Sequence, residues 1–94
     1  MTSKQRAMLR AMANEYQPII YIGKEGVTEA LIQDADAALE ARELVKGSIG
    51  RNAEVDLRTA VAELCQALQA EPVQVIGRKF VIFRPSQKNP TIQL

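Results

Sequence analysis

Histidine and tryptophan are absent from these 94 residues, and cysteine occurs once. Without histidine the chain lacks the side chain that most readily moves protons near neutral pH, and no Cys–His pair can be built. The lone Cys65 excludes an internal disulfide and suits a reducing compartment. Aromatic residues make up only 4% of the chain, two tyrosines and two phenylalanines, which leaves a thin base-stacking platform. No apolar run approaches the length of a membrane span, and no basic segment followed by an apolar stretch marks a secretory signal. The sequence therefore reads as that of a cytoplasmic protein with no membrane partner. A net charge of +1 gives no generally basic surface.

What is present is ordinary for one globular domain with a modest core: 47% hydrophobic and 24% charged residues. There is no internal repeat, low-complexity tract or domain boundary. The charge is segregated, however. Residues 1–24 carry Lys4, Arg6, Arg10 and Lys24 against Glu15 alone. Residues 25–45 carry six acids against Arg42, and residues 73–94 carry Arg78, Lys79, Arg84 and Lys88 with no acid. If the basic ends meet in the fold, they form one positive patch. The expectation is that Lys24, Arg78 and Arg84 share a surface away from Asp34 and Glu40.

The stretch Gly23-Lys24-Glu25-Gly26 organises the chain. Before it, Pro18–Ile22 is a short β-branched run that reads as a buried strand. After it, Thr28 can cap a helix, with Val27 and Ile32 placed as a hydrophobic staple. Glycine permits close approach of a partner to the backbone, and a helix start offers unpaired N–H groups and partial positive charge. That combination can hold a phosphate. The same spacing also serves as a plain tight turn, and it lacks the length and the Lys-Ser/Thr ending of a nucleotide-binding P-loop.

Thr2 and Gln5 form a candidate capping box for a first helix reaching about Asn14, with Leu9 and Ala13 one turn apart and Arg6 and Arg10 on another face. A second helix spans Thr28 to Arg42, with Leu31, Ala35, Ala38, Leu39 and Arg42 as its buried stripe and Glu29, Asp34, Asp36 and Glu40 on other faces. Glu43–Ile49 is a second strand in which Gly47 suggests a bulge. Gly50-Arg51-Asn52 is a loop before a third helix from about Ala53 to Ala70, striped by Leu57, Ala60, Val61, Leu64 and Leu68, with Cys65 as a small core residue. Val73–Ile76 and Lys79–Arg84 are strands joined by a two-residue Gly77-Arg78 turn. Residues 85–94 read as a C-terminal tail. The order α-β-α-β-α-β-β predicts an α/β fold with a four-stranded mixed sheet packed with helices. The first three strands run parallel and the last pair forms a hairpin. The strand order is not legible.

The chain resembles the YhbY family, the single-domain bacterial form of the CRM (chloroplast RNA splicing and ribosome maturation) domain. The resemblance rests on Ser3-Lys4-Gln5 opening a helix with Leu9 and Ala13, on Pro18, on Ile22-Gly23-Lys24-Glu25-Gly26-Val27-Thr28, on Glu43-Leu44-Val45-Lys46, and on Gln74 through Pro85. It implies a single CRM domain over 1–94, a fold like the C-terminal domain of bacterial translation initiation factor three with an added N-terminal helix, and a G-x-x-G loop comparable to that of KH domains. It further implies RNA as partner, ribosomal RNA in precursors of the large subunit, and a role in ribosome assembly. Arg42 stands where the family often has histidine, and Gly47 where a β-branched residue is usual.

The resulting expectation is a monomeric, non-catalytic RNA-binding protein without metal or cofactor. Its contacts would come from Gly23, Lys24, Glu25 and Gly26, from Lys46, Arg51, Arg78, Lys79 and Arg84, and in second rank from Lys4, Arg6 and Arg10. The rival reading is a protein-interaction adaptor that uses the acidic second helix. Each of these charged side chains can equally be a solvated surface group.

Overall fold

The computed structural model describes residues 1–94. Three helices, α1 (Ser3–Ala13), α2 (Glu29–Arg42) and α3 (Leu57–Leu68), alternate with strands β1 (Ile20–Ile22), β2 (Leu44–Ile49), β3 (Glu71–Ile76) and β4 (Lys79–Phe83). Each helix begins where a side-chain oxygen meets an otherwise unpaired N–H. Thr2 accepts from Gln5 N at 3.0 Å while the Gln5 side chain accepts from Thr2 N at 2.9 Å, so the predicted capping box is present. The Thr28 hydroxyl accepts from Leu31 N at 3.1 Å. Asp56 accepts from Thr59 N at 3.1 Å, and this cap starts α3 at Leu57, four residues later than the apolar pattern suggests.

The strands form one sheet in the order β1-β2-β4-β3. β1 pairs parallel to β2, and β4 lies antiparallel between β2 and β3. The first three strands therefore share a direction, as the crossovers require, and the hairpin strand is inserted between the second and third. Gly47 is not a bulge. It pairs in register with Ile20 and Phe80, and a Cβ on it would overlap the Phe80 ring, so its hydrogen makes room for the largest core side chain. The sheet irregularity lies instead between Pro72 and Gln74 on edge strand β3, where a missing N–H costs no ladder bond.

Alternation along the strands gives the sheet two apolar faces. Ile20, Ile22, Val45, Phe80 and Ile82 pack with Leu31, Ala35 and Leu39 of α2 and with Leu57, Ala60, Val61, Leu64, Cys65 and Leu68 of α3. On the other side Leu44, Val73, Val81 and Phe83 meet Leu9 and Ala13 of α1. α1 thus covers the Phe83 end of that face and leaves the Lys79 end open.

Residues 85–94 form no helix or strand, yet they are held. The Glu43 carboxylate accepts from Ser86 N at 2.8 Å, Thr91 N at 2.9 Å, the Thr91 hydroxyl at 2.8 Å and Ile92 N at 2.9 Å. Glu40 accepts from the Ser86 hydroxyl at 2.6 Å, Gln87 N at 3.0 Å and Lys88 N at 3.2 Å. Glu43, read from sequence as the first strand residue, is the C-cap of α2 with φ 66° and is buried. The segment it holds lays Ile92 against the second core.

Candidate nucleic-acid interface

β1 and β2 run toward the same end of the sheet, and β4 starts there. Three connections therefore emerge side by side: Gly23–Gly26 after β1, Gly50–Arg51 after β2, and the Gly77–Arg78 turn before β4. Backbone bonds join them. Gly50 N donates to Ile22 O at 2.9 Å, and Ile49 N donates to Arg78 O at 2.9 Å. With strands about 4.8 Å apart, the β1 and β4 ends lie two steps, or about 10 Å, from each other.

Gly23–Gly26 is a tight turn closed by Gly26 N donating to Gly23 O at 3.0 Å. Lys24 and Glu25 project from it into solvent. Gly26 has φ 74°, a left-handed conformation that favours glycine, and a Cβ there would sit 3.3 Å from Val55 Cγ1. The turn, with Tyr21, Thr28 and Leu31, lines a shallow depression. Arg51 and Arg78 are exposed on the neighbouring connections, and Gly77 takes φ 58° to reverse the chain. Lys79 opens β4 and is exposed, while Lys46 is half-buried on β2. Strand alternation puts Lys46 and Lys79 on the open face of the sheet. The structure thus gathers Lys24, Arg51, Arg78 and Lys79 at one end, with Lys46 on the adjoining face.

Arg84 does not join them, contrary to the single-patch expectation. It follows the far end of β4, and its side chain is only 13% exposed. Its Nη1 donates to Asp36 Oδ1 at 2.8 Å and to Leu68 O at 3.1 Å, and its Nη2 donates to Asp36 O at 3.2 Å and stands 4.0 Å from Glu40 Oε1. Arg84 therefore ties β4 to the acidic helix. Lys4, Arg6 and Arg10 lie on α1, which packs over the Phe83 end. Lys4 and Arg10 are exposed there, and Arg6 Nε donates to Pro72 O at 3.4 Å. These three are not brought to the loop end.

The acidic helix is partly engaged within the fold. Asp36 holds Arg84, and Glu40 and Glu43 hold the C-terminal segment. Hydrogen bonds, with that from Ser86 N the strongest influence, push the Glu43 carboxyl down to about 2 despite its burial, and bonds led by that from the Ser86 hydroxyl also lower Glu40. Burial pushes the Cys65 thiol up to about 11, so the reactive thiolate is disfavoured at neutral pH.

The charge and glycine patterns do not mark Tyr21, which borders the turn. The pattern Ile20-Tyr21-Ile22 contained the signal, because two buried isoleucines one residue either side put the tyrosine on the opposite face.

Comparison with known proteins gives a consistent picture. The family model described as the CRS1 / YhbY (CRM) domain matches residues 1–84. The chain is 37% identical to "Probable RNA-binding protein YqeI" of Bacillus subtilis over 94 residues, which is all of this chain and 98% of that protein. It is 35% identical to "Probable RNA-binding protein MJ0652" of Methanocaldococcus jannaschii, across 93% of this chain and 66% of that protein. The solution structure of the hypothetical protein SAV1595 from Staphylococcus aureus superposes with a TM-score of 0.84 at 40% identity, covering 100% of this chain and 98% of that one.

Proposed function

The chain belongs to the CRS1/YhbY (CRM) domain family, and from that membership we propose that it is a non-catalytic RNA-binding protein acting on ribosomal RNA in precursors of the large subunit. RNA binding is supported by the names of its relatives and by the convergence of three cation-bearing connections at one end of the sheet. That convergence carries the reading. Lys24, Arg51, Arg78 and Lys79 offer charge to phosphates, and the Gly23–Gly26 turn offers close approach to backbone, the role a KH loop plays. Such contacts position an RNA while carrying little sequence information. The ribosomal target and the likeness to initiation factor three come from the family resemblance, and the cytoplasmic setting from the lone Cys65 and the sequence pattern.

Catalysis has little to work with in this geometry. Glu25 is an exposed carboxylate on the turn, and Cys65 is buried with a raised pKa. The adaptor alternative is weakened because α2 spends Asp36 and Glu40 on internal partners. The test is binding of structured ribosomal RNA across salt concentrations, paired with sedimentation of the protein in cell extract. Steep loss of affinity with salt and co-sedimentation with large-subunit precursors are expected. RNA binding without co-sedimentation would remove the ribosomal target and leave the RNA-binding part.

A further inference from the structure

Tyr21 is 63% exposed, the most exposed large apolar side chain in the protein, and it borders the Gly23–Gly26 turn. Its ring is nevertheless positioned. One edge lies along Gly23, where a Cβ would come within 3.5 Å of Cε2, and the hydroxyl end lies over Gly50, where any Cβ would overlap it. Gly50 has no positive φ, so its backbone does not call for glycine. The space taken by Tyr21 does. Across the sheet Tyr21 pairs with Ser48, Ser48 with Lys79, and Lys79 with Ile76, so one row on the open face carries an aromatic ring, a cation and the 62% exposed Ile76. Lys46 stands two residues back on that face.

We infer that Tyr21 is a stacking platform for one unpaired base of an RNA strand whose phosphate backbone lies at Gly23–Gly26, and that Gly50 keeps the ring in place. The inference rests on the RNA-binding reading and adds a preference to it. A phosphate seat alone accepts duplex and single strand. An exposed ring rewards a base whose face is free, which a continuous duplex does not present. Lys79, one strand beyond Ser48, and Lys46 on the same face offer positive charge to the phosphates of such a strand.

The chain contains no tryptophan and two tyrosines, so Tyr16→Phe leaves Tyr21 as the only tyrosine emitter. Titrating that variant with a short single-stranded RNA of mixed sequence is expected to quench its emission. In parallel, Tyr21→Ala should weaken single-strand binding roughly five-fold or more and leave a blunt duplex of equal length unaffected, while Tyr21→Phe keeps the affinity. Gly50→Ala should weaken single-strand binding too, by displacing the ring. If Tyr21→Ala binds the single strand as the parent does while Lys24→Ala binds it more weakly, the platform is overturned and the phosphate seat stands. Equal losses on both RNAs would likewise overturn the platform. A parent that binds neither RNA at low salt would overturn the RNA-binding reading itself and the platform with it.

Discussion

Arg84 reaches across the fold to Asp36, with Nη1 2.8 Å from Oδ1, and this pair removes from the positive surface a residue that the sequence assigns to it. Arg84→Ala leaves the Leu68 carbonyl and Asp36 without their donor. A loss of about 1–2 kcal/mol is expected by denaturant unfolding, the lower range for a half-exposed pair because Asp36 can rehydrate. RNA affinity of the folded variant should not change. A stable variant that binds RNA more weakly would return Arg84 to the interface.

The Glu43 carboxylate predicts a pH dependence. Its pKa is lowered from 4.5 to about 2 in the folded protein, so the carboxylate contributes stability above about pH 4.5 that is lost as pH falls toward 2. Thermal unfolding of the parent and of Glu43→Gln should therefore differ most near neutral pH and converge in acid. A difference that is constant with pH would show that charge is not what holds residues 86–92. Amide exchange at Thr91 and Ile92 should rise in the variant before exchange in the sheet does.

Gly47→Ala tests the close approach of β2 to Phe80. The added methyl has no room beneath the ring, and overpacking of about 1–3 kcal/mol is expected in unfolding experiments. Wild-type stability in this variant would mean that Phe80 turns aside freely and that the position is not packed as described.

Gly26→Asp separates the turn from the core. The left-handed φ of 74° costs a side chain of order 1 kcal/mol, and the Cβ presses on Val55, which only borders the main core. The domain should stay folded with a modestly lowered Tm and lose RNA affinity by more than Lys24→Ala does, because a carboxylate then stands at the proposed phosphate seat. Global unfolding of this variant would make the turn a structural element first.

Most of the fold was legible because its determinants are local. Thr2 with Gln5, Thr28 before α2, the α3 leucine stripe and the Gly77-Arg78 turn each act within a few residues of chain. The misread positions are those decided by distant partners. Arg84 finds Asp36 across 48 residues, and Glu43 finds Thr91 at the same separation. Gly47 looks like a flaw in a strand until Phe80 is placed beside it. In the candidate interface, charge segregation along the chain predicts Lys24 and Arg78 on one surface. Tyr21 is not legible in the composition, because a low aromatic count says nothing of where one ring is set.

The three connections at the β1-β2-β4 end are the proposed RNA contact surface. Its most direct test is the slope of log affinity for structured ribosomal RNA against log salt, measured for the parent and for Lys24→Ala, Arg51→Ala, Arg78→Ala and Arg84→Ala. Each of the first three should lower the slope by about one phosphate contact, and Arg84→Ala should leave it unchanged. Parental slopes in all three loop variants, or a loss confined to Arg84→Ala, would contradict the account.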